Sequence, residues 1–160
     1  MIKYCLEKWD ANKEKLRKVL SGANLEAIEY KDLVKMVVRY VLNDETAHND
    51  EAIGYDHCEW NWDRITQIDD GEYRGTLLYM IPRNTYQPSE YDYLMAYVNY
   101  GSCSGCDALQ YLQSIIYPNQ TEKNVNDFMT LCKDILTSII KPYNYGWRYD
   151  ERFDVCEVEE

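Results

Sequence analysis

The spacing of apolar residues changes period twice along this chain, and that change bounds the fold more tightly than any single motif. From Lys3 to Leu20, residues Leu6, Trp9, Leu16, Val19 and Leu20 lie near one side of a period of about 3.6 residues, with lysines on the other side. Leu33, Val34, Val37, Tyr40 and Val41 repeat the pattern up to Asn43. Two amphipathic helices are therefore predicted. Between Asn61 and Tyr100 the helical spacing gives way to runs rich in β-branched and aromatic residues, "NWDRITQI", "YRGTLLYMI" and "YDYLMAYVNY". The "DDGE" between the first two has the Asp and Gly of a hairpin turn, and Pro82 and Pro88 bracket the next connection, so the simplest sheet is an antiparallel meander. After Gly101 the helical period returns through Leu109, Leu112, Ile115 and Ile116 until Pro118 stops it. A last helix is expected from about Asn124 to Ile140, with Phe128, Leu131, Cys132, Ile135, Leu136 and Ile139 facing inward and Pro142 ending it. The order α-α-β-β-β-α-α groups the strands together. That predicts an α+β fold, a small antiparallel three-stranded sheet with about four helices packed on it.

A chain of 160 residues is the usual size of one domain, so residues 1–160 are read as a single globular unit with one core. Its aromatic usage is lopsided, with 16 Tyr against 2 Phe. A tyrosine needs its ring covered and its hydroxyl wet or paired, which predicts a thin core with many ring edges at its boundary. The net charge is −11, which disfavours nucleic acid or an anionic membrane as a direct partner. The charge is unevenly spread: residues 1–20 carry a local +3, whereas residues 43–72 hold ten acidic residues and one arginine, a local −9. Residues 43–60 lack a sustained period and read as an acidic loop, and residues 154–160 as a frayed acidic tail. If the acidity serves recognition, Asp50, Glu51, Asp56 and Glu59 would steer a basic surface, and Tyr55, Trp60 and Trp62 would supply apolar contact. The plainer role of these carboxylates is to keep the protein soluble.

One short stretch has the form of a chemical signature. In "YGSCSGCDALQ", Cys103 and Cys106 form a C-x-x-C pair between the third strand and the helix that follows. Three readings are open. At the start of a helix such a pair can be a redox couple, because the dipole and free amides favour a thiolate. The pair can also be half of a tetrahedral zinc site, the other half coming from His57 and Cys58. The simplest expectation is packing: Gly101 and Gly105 make a tight turn, Ser102 or Ser104 caps the helix, and the small thiols lie beneath it. A thioredoxin-like arrangement is disfavoured, since that fold needs strands on both sides of the motif and here only helices follow. Cys5, Cys58, Cys132 and Cys156 are scattered singly and read as core thiols. No phosphate-binding glycine loop, nucleophile elbow or H-E-x-x-H occurs, and the acidic stretch lacks the alternating register of a calcium loop. No catalytic residues are assigned and no cofactor is expected outside the zinc alternative.

The run from "DRITQIDDGEYRGTLLYMIPRNTYQPSEYDYLMAYVNYGSCSGCDALQ" to "DFMTLCKDIL" resembles a group of small proteins of phages and prophage-bearing bacteria that have no assigned activity. The likeness extends from about Trp9 to Ile140. It implies a phage-related setting and transfers no site residues. Charges at Lys3, Glu7, Lys8 and Asp10 interrupt any signal-peptide core, so a cytosolic location is expected. Together these features predict a small acidic protein that binds a host protein or a basic nucleic-acid-binding surface, with a thiol-redox or zinc protein as the alternative.

Overall fold

Helix α1 spans Ile2–Gly22 and buries Cys5, Trp9, Asn12, Leu16 and Leu20, a stripe in steps of three and four. The computed structural model describes residues 1–43, 59–116 and 118–142. The stripe lies slightly to one side of the sequence expectation: Leu6 is 37% exposed and Val19 half-buried, while Cys5 and Asn12 take inner positions. A polar residue is tolerated there because the Asn12 side-chain amide donates to the carbonyl of Val41 at 2.9 Å.

Helix α2 spans Tyr30–Met36 and opens with a capping box formed by Glu29 and Asp32. The chain then continues in wider π-type turns over Val37–Leu42, with the amide of Asn43 reaching back to Val38. Val37, Val38, Val41 and Leu42 are all buried there, so the segment turns paired apolar residues inward. Asn43 ends the segment and clips the returning chain: it donates to the carbonyl of Trp60 at 2.7 Å and accepts from the Trp60 amide at 2.9 Å.

Strand β1 is Thr66–Asp69, β2 is Gly75–Pro82 and β3 is Tyr93–Tyr100, in the order β1-β2-β3 with antiparallel pairing. The expected meander is present. At the hairpin, Asp69 accepts from the Gly71 amide and Asp70 from the Thr76 amide. A Cβ at Gly71 would fall 2.2 Å from the Arg74 carbonyl oxygen, so this turn requires glycine. Leu77, Tyr79 and Ile81 of β2 and Leu94, Ala96 and Val98 of β3 face the helices and join their apolar residues in one core. Across the opposite face runs the row Ile68, Leu78 and Tyr97, of which Ile68 and Tyr97 are about half exposed.

Helix α3 spans Ala108–Ser114, and α4 spans Glu122–Thr137 behind a Thr121/Asn124 capping box. All six core positions expected on the last helix are buried, but the helix ends at Thr137, so Ile139 is buried from the segment beyond it. Ile140 instead exchanges two backbone hydrogen bonds with Met95 of β3, at 2.8 and 2.9 Å, and so covers part of that sheet edge. Among the described residues the architecture is α+β, with four α-helices and a three-stranded antiparallel sheet. Among the described residues no helix is long and apolar enough to cross a membrane. Tyr30 and Tyr79 are buried, whereas Tyr73, Tyr86, Tyr91, Tyr97 and Tyr111 stand out at the surface, as the lopsided aromatic usage implies.

Candidate functional site

Cys103 and Cys106 sit where β3 has ended and α3 has not begun, on a turn closed by the Cys106 amide donating to the Cys103 carbonyl at 2.9 Å. Both side chains are exposed, which overturns the expectation that they pack beneath the helix. The helix cap also differs. Asp107, not Ser102 or Ser104, is the cap of α3, accepting from the Gln110 amide at 2.9 Å. Its two oxygens also receive the Tyr30 hydroxyl at 3.1 Å and the Gly101 amide at 3.2 Å. Because Asp107 is buried and committed inward, the residues before it are forced out over the surface.

The two sulfurs lie 2.8 Å apart. The backbone amide of Cys103 points at the Cys106 sulfur at 3.2 Å, and that sulfur is also 3.2 Å from the Cys103 carbonyl oxygen. As a thiol, Cys106 can donate to that carbonyl; as a thiolate, it accepts from the Cys103 amide and thiol. The surroundings shift the balance toward the second state. The Cys103 thiol is the largest cause holding the Cys106 thiol below its ordinary pKa; burial opposes it, and the amides of Cys103 and Ser102 add to the lowering. Gly101 makes the approach possible, since a Cβ there would stand 2.4 Å from the Cys106 sulfur and 2.7 Å from its carbonyl oxygen. The other described cysteines contrast sharply. Cys5 and Cys132 are fully buried, and burial pushes their thiols up to about 11 and about 12. They are core thiols, as their isolation in the sequence suggests.

Beside the turn is a second polar constellation that the sequence did not disclose. The Tyr30 hydroxyl donates to Asp107 and accepts from the Leu109 amide at 3.0 Å, tying α2 to the start of α3. Burial, ahead of the Asp107 charge, raises the Tyr30 phenol to about 12. The available signal was Asp107 itself, an N-cap residue type directly before an apolar helical run.

Of the residues proposed for partner contact, Asp50, Glu51, Tyr55 and Asp56 lie outside the described residues, as do the zinc candidates His57 and Cys58. Glu59 is paired with Arg83 at 3.6 Å and receives the Tyr4 hydroxyl at 3.4 Å. Trp60 is 1% exposed and belongs to the core, so its own chain covers its ring. Trp62 is half-buried with the Arg39 guanidinium 4.2 Å above its ring. The structure does not bring these three residues to the Cys103/Cys106 turn. Among the described residues no group of three or more His, Cys, Asp or Glu side chains is placed to hold a metal ion. The thiol pair offers two sulfur ligands by itself, half of what a structural zinc site uses. Comparison with family models, with curated proteins and with solved structures finds no match to the chain.

Proposed function

We propose that the chain acts through Cys103 and Cys106 as a surface dithiol that exchanges with disulfides of low-molecular-weight or protein partners. The observation that carries this reading is the 2.8 Å approach of two exposed sulfurs, one held toward the thiolate by its neighbour. A four-residue turn keeps its end Cα atoms within about 7 Å, close to the span of about 4.4–6.8 Å that a disulfide bridges. Little backbone movement is then needed for the pair to close.

The chemistry assigns different roles to the two thiols. The Cys106 thiolate attacks one sulfur of the partner disulfide, the partner S–S bond breaks, and the departing sulfur takes up a proton as a thiol. Cys103 then gives up its proton and attacks the Cys106 sulfur of the mixed disulfide, releasing the second partner thiol. Counting the proton that Cys106 releases to solvent on forming its thiolate, the turn loses two electrons and two protons to become a disulfide, and the partner gains two electrons and takes up two protons through solvent. Exposure matters here as much as acidity, because the attacked disulfide must reach the sulfur in line.

Trapping tests this assignment. In a Cys58→Ser/Cys156→Ser background, Cys103→Ser should accumulate a stable mixed disulfide at Cys106 on exposure to oxidised glutathione, since the resolving thiol is gone. Cys106→Ser should form its adduct at Cys103 at least tenfold more slowly. Equal rates in the two variants would remove the proposed division of roles, and stoichiometric zinc in protein purified under reducing conditions would favour metal ligation instead.

A further inference from the structure

The surface between α2, β2 and α3 holds a cleft of about 340 Å³, within the range of small-molecule sites. Its apolar wall comes from Ile28, Leu77 and Leu109. Tyr79 also lines it, and this residue is 0% exposed while its hydroxyl has no hydrogen-bond partner among the described residues. Such a group is costly to bury, and its neighbours Tyr30 and Tyr100 show the usual solution, each donating to a carboxylate. Burial, ahead of the charges of Tyr30, Glu29, Asp32 and Asp69, raises the Tyr79 phenol far above its ordinary range. It is therefore a neutral donor, without a partner among the described residues, at the buried wall of the cleft.

The exposed side of the cleft is acidic. Asp69 lines it and uses Oδ1 to accept the Tyr100 hydroxyl at 2.7 Å and the Gly71 amide at 3.0 Å, which leaves Oδ2 for a cation. Glu29, whose carboxylate caps α2, also lines the cleft, as does the buried Asp107, already bound by the Tyr30 hydroxyl and two amides. Lys31 is the ammonium among the lining residues. Carboxylates outnumber it, so the field in the cleft favours a cation over an anion.

We propose that this cleft binds a small organic amine, its ammonium at Asp69, its apolar body on Ile28, Leu77 and Leu109, and an oxygen on the Tyr79 hydroxyl. This site rests on none of the thiol chemistry. The ligand class is distinguished from an anionic or purely apolar one by the opposite ends of the cleft, a carboxylate at the mouth and an unsatisfied neutral hydroxyl at depth.

Three probes of one shape test it by titration calorimetry on the full chain at low salt. Tyramine carries both the ammonium and the oxygen, phenethylamine lacks the oxygen, and 4-hydroxyphenylacetate replaces the ammonium by a carboxylate. Tyramine should bind about tenfold more tightly than phenethylamine, the worth of one buried hydrogen bond, and the carboxylate should give no binding. Tyr79→Phe should abolish the tyramine advantage while leaving phenethylamine affinity unchanged, which also reports that the cleft is intact. The proposal is overturned if no probe binds, if the carboxylate binds as well as the amines, or if Tyr79→Phe weakens both amines equally.

Discussion

Cys106 owes its chemistry to neighbours one to five residues away. Gly101 gives it room, the Cys103 amide and thiol face its sulfur, and Asp107 anchors the chain directly behind it. This predicts a pH profile. A thiol whose pKa is lowered is a thiolate, and reactive, at lower pH than an ordinary cysteine near ~8.5. Alkylation by iodoacetamide, followed residue by residue by mass spectrometry, should place the Cys106 midpoint below that value. Cys103→Ala removes the largest cause of the lowering and should move the midpoint up toward it, as should Gly101→Ala, which forces Cys106 away from the Cys103 amide. A midpoint that neither variant moves would show that the turn does not tune this thiol. The sequence disclosed the pair and its place between strand and helix, but not its exposure. Small thiols carry no periodic signal, and what decides their direction is the inward commitment of Asp107 to Tyr30, a contact spanning 77 positions that no local pattern encodes.

At the scale of elements, apolar periodicity was a good guide to which segments form helices and strands and a poorer one to their ends. Every residue the last helical period nominated is buried, although Ile139 lies past the end of α4, whose boundaries follow the Thr121 cap at one end and the pairing of Ile140 with Met95 at the other. The π-type turns after α2 were not legible, because a widened turn still places apolar residues three and four apart. The clip that follows it has an energetic consequence. Asn43 supplies both a donor and an acceptor to the backbone of Trp60, in the manner of a neighbouring strand, and so joins the end of the α2 segment to a core tryptophan. Asn43→Ala leaves both Trp60 backbone groups without that partner and should cost about 1–3 kcal/mol in urea unfolding. Asn43→Asp keeps the acceptor alone and should fall between the two. A loss below about 0.5 kcal/mol for Asn43→Ala, the usual range of a surface change, would show that the clip is dispensable.

The whole molecule joins a conventional core to a charged and reactive periphery. Helices cover one face of the sheet, Ile140 covers part of the β3 edge, and the apolar residues of both layers form one cluster, so the turn at residues 101–107 rests on a fixed frame. That frame was legible because strand alternation and helical spacing are physical requirements of burial in two layers. The candidate site was legible only as a motif, since its geometry is assembled by a glycine contact and a buried aspartate that the motif does not contain. The reading as a dithiol makes one demand on the intact protein: the pair must interconvert with a disulfide within reach of biological thiols. Equilibrating the Cys58→Ser/Cys156→Ser protein across glutathione buffers, quenching with acid and counting hydrogens by peptide mass measures this directly. The account predicts a single two-electron transition confined to the peptide holding Cys103 and Cys106, with Cys5 and Cys132 remaining reduced thiols throughout. A pair that stays fully reduced from the most reducing to the most oxidising buffer would contradict it.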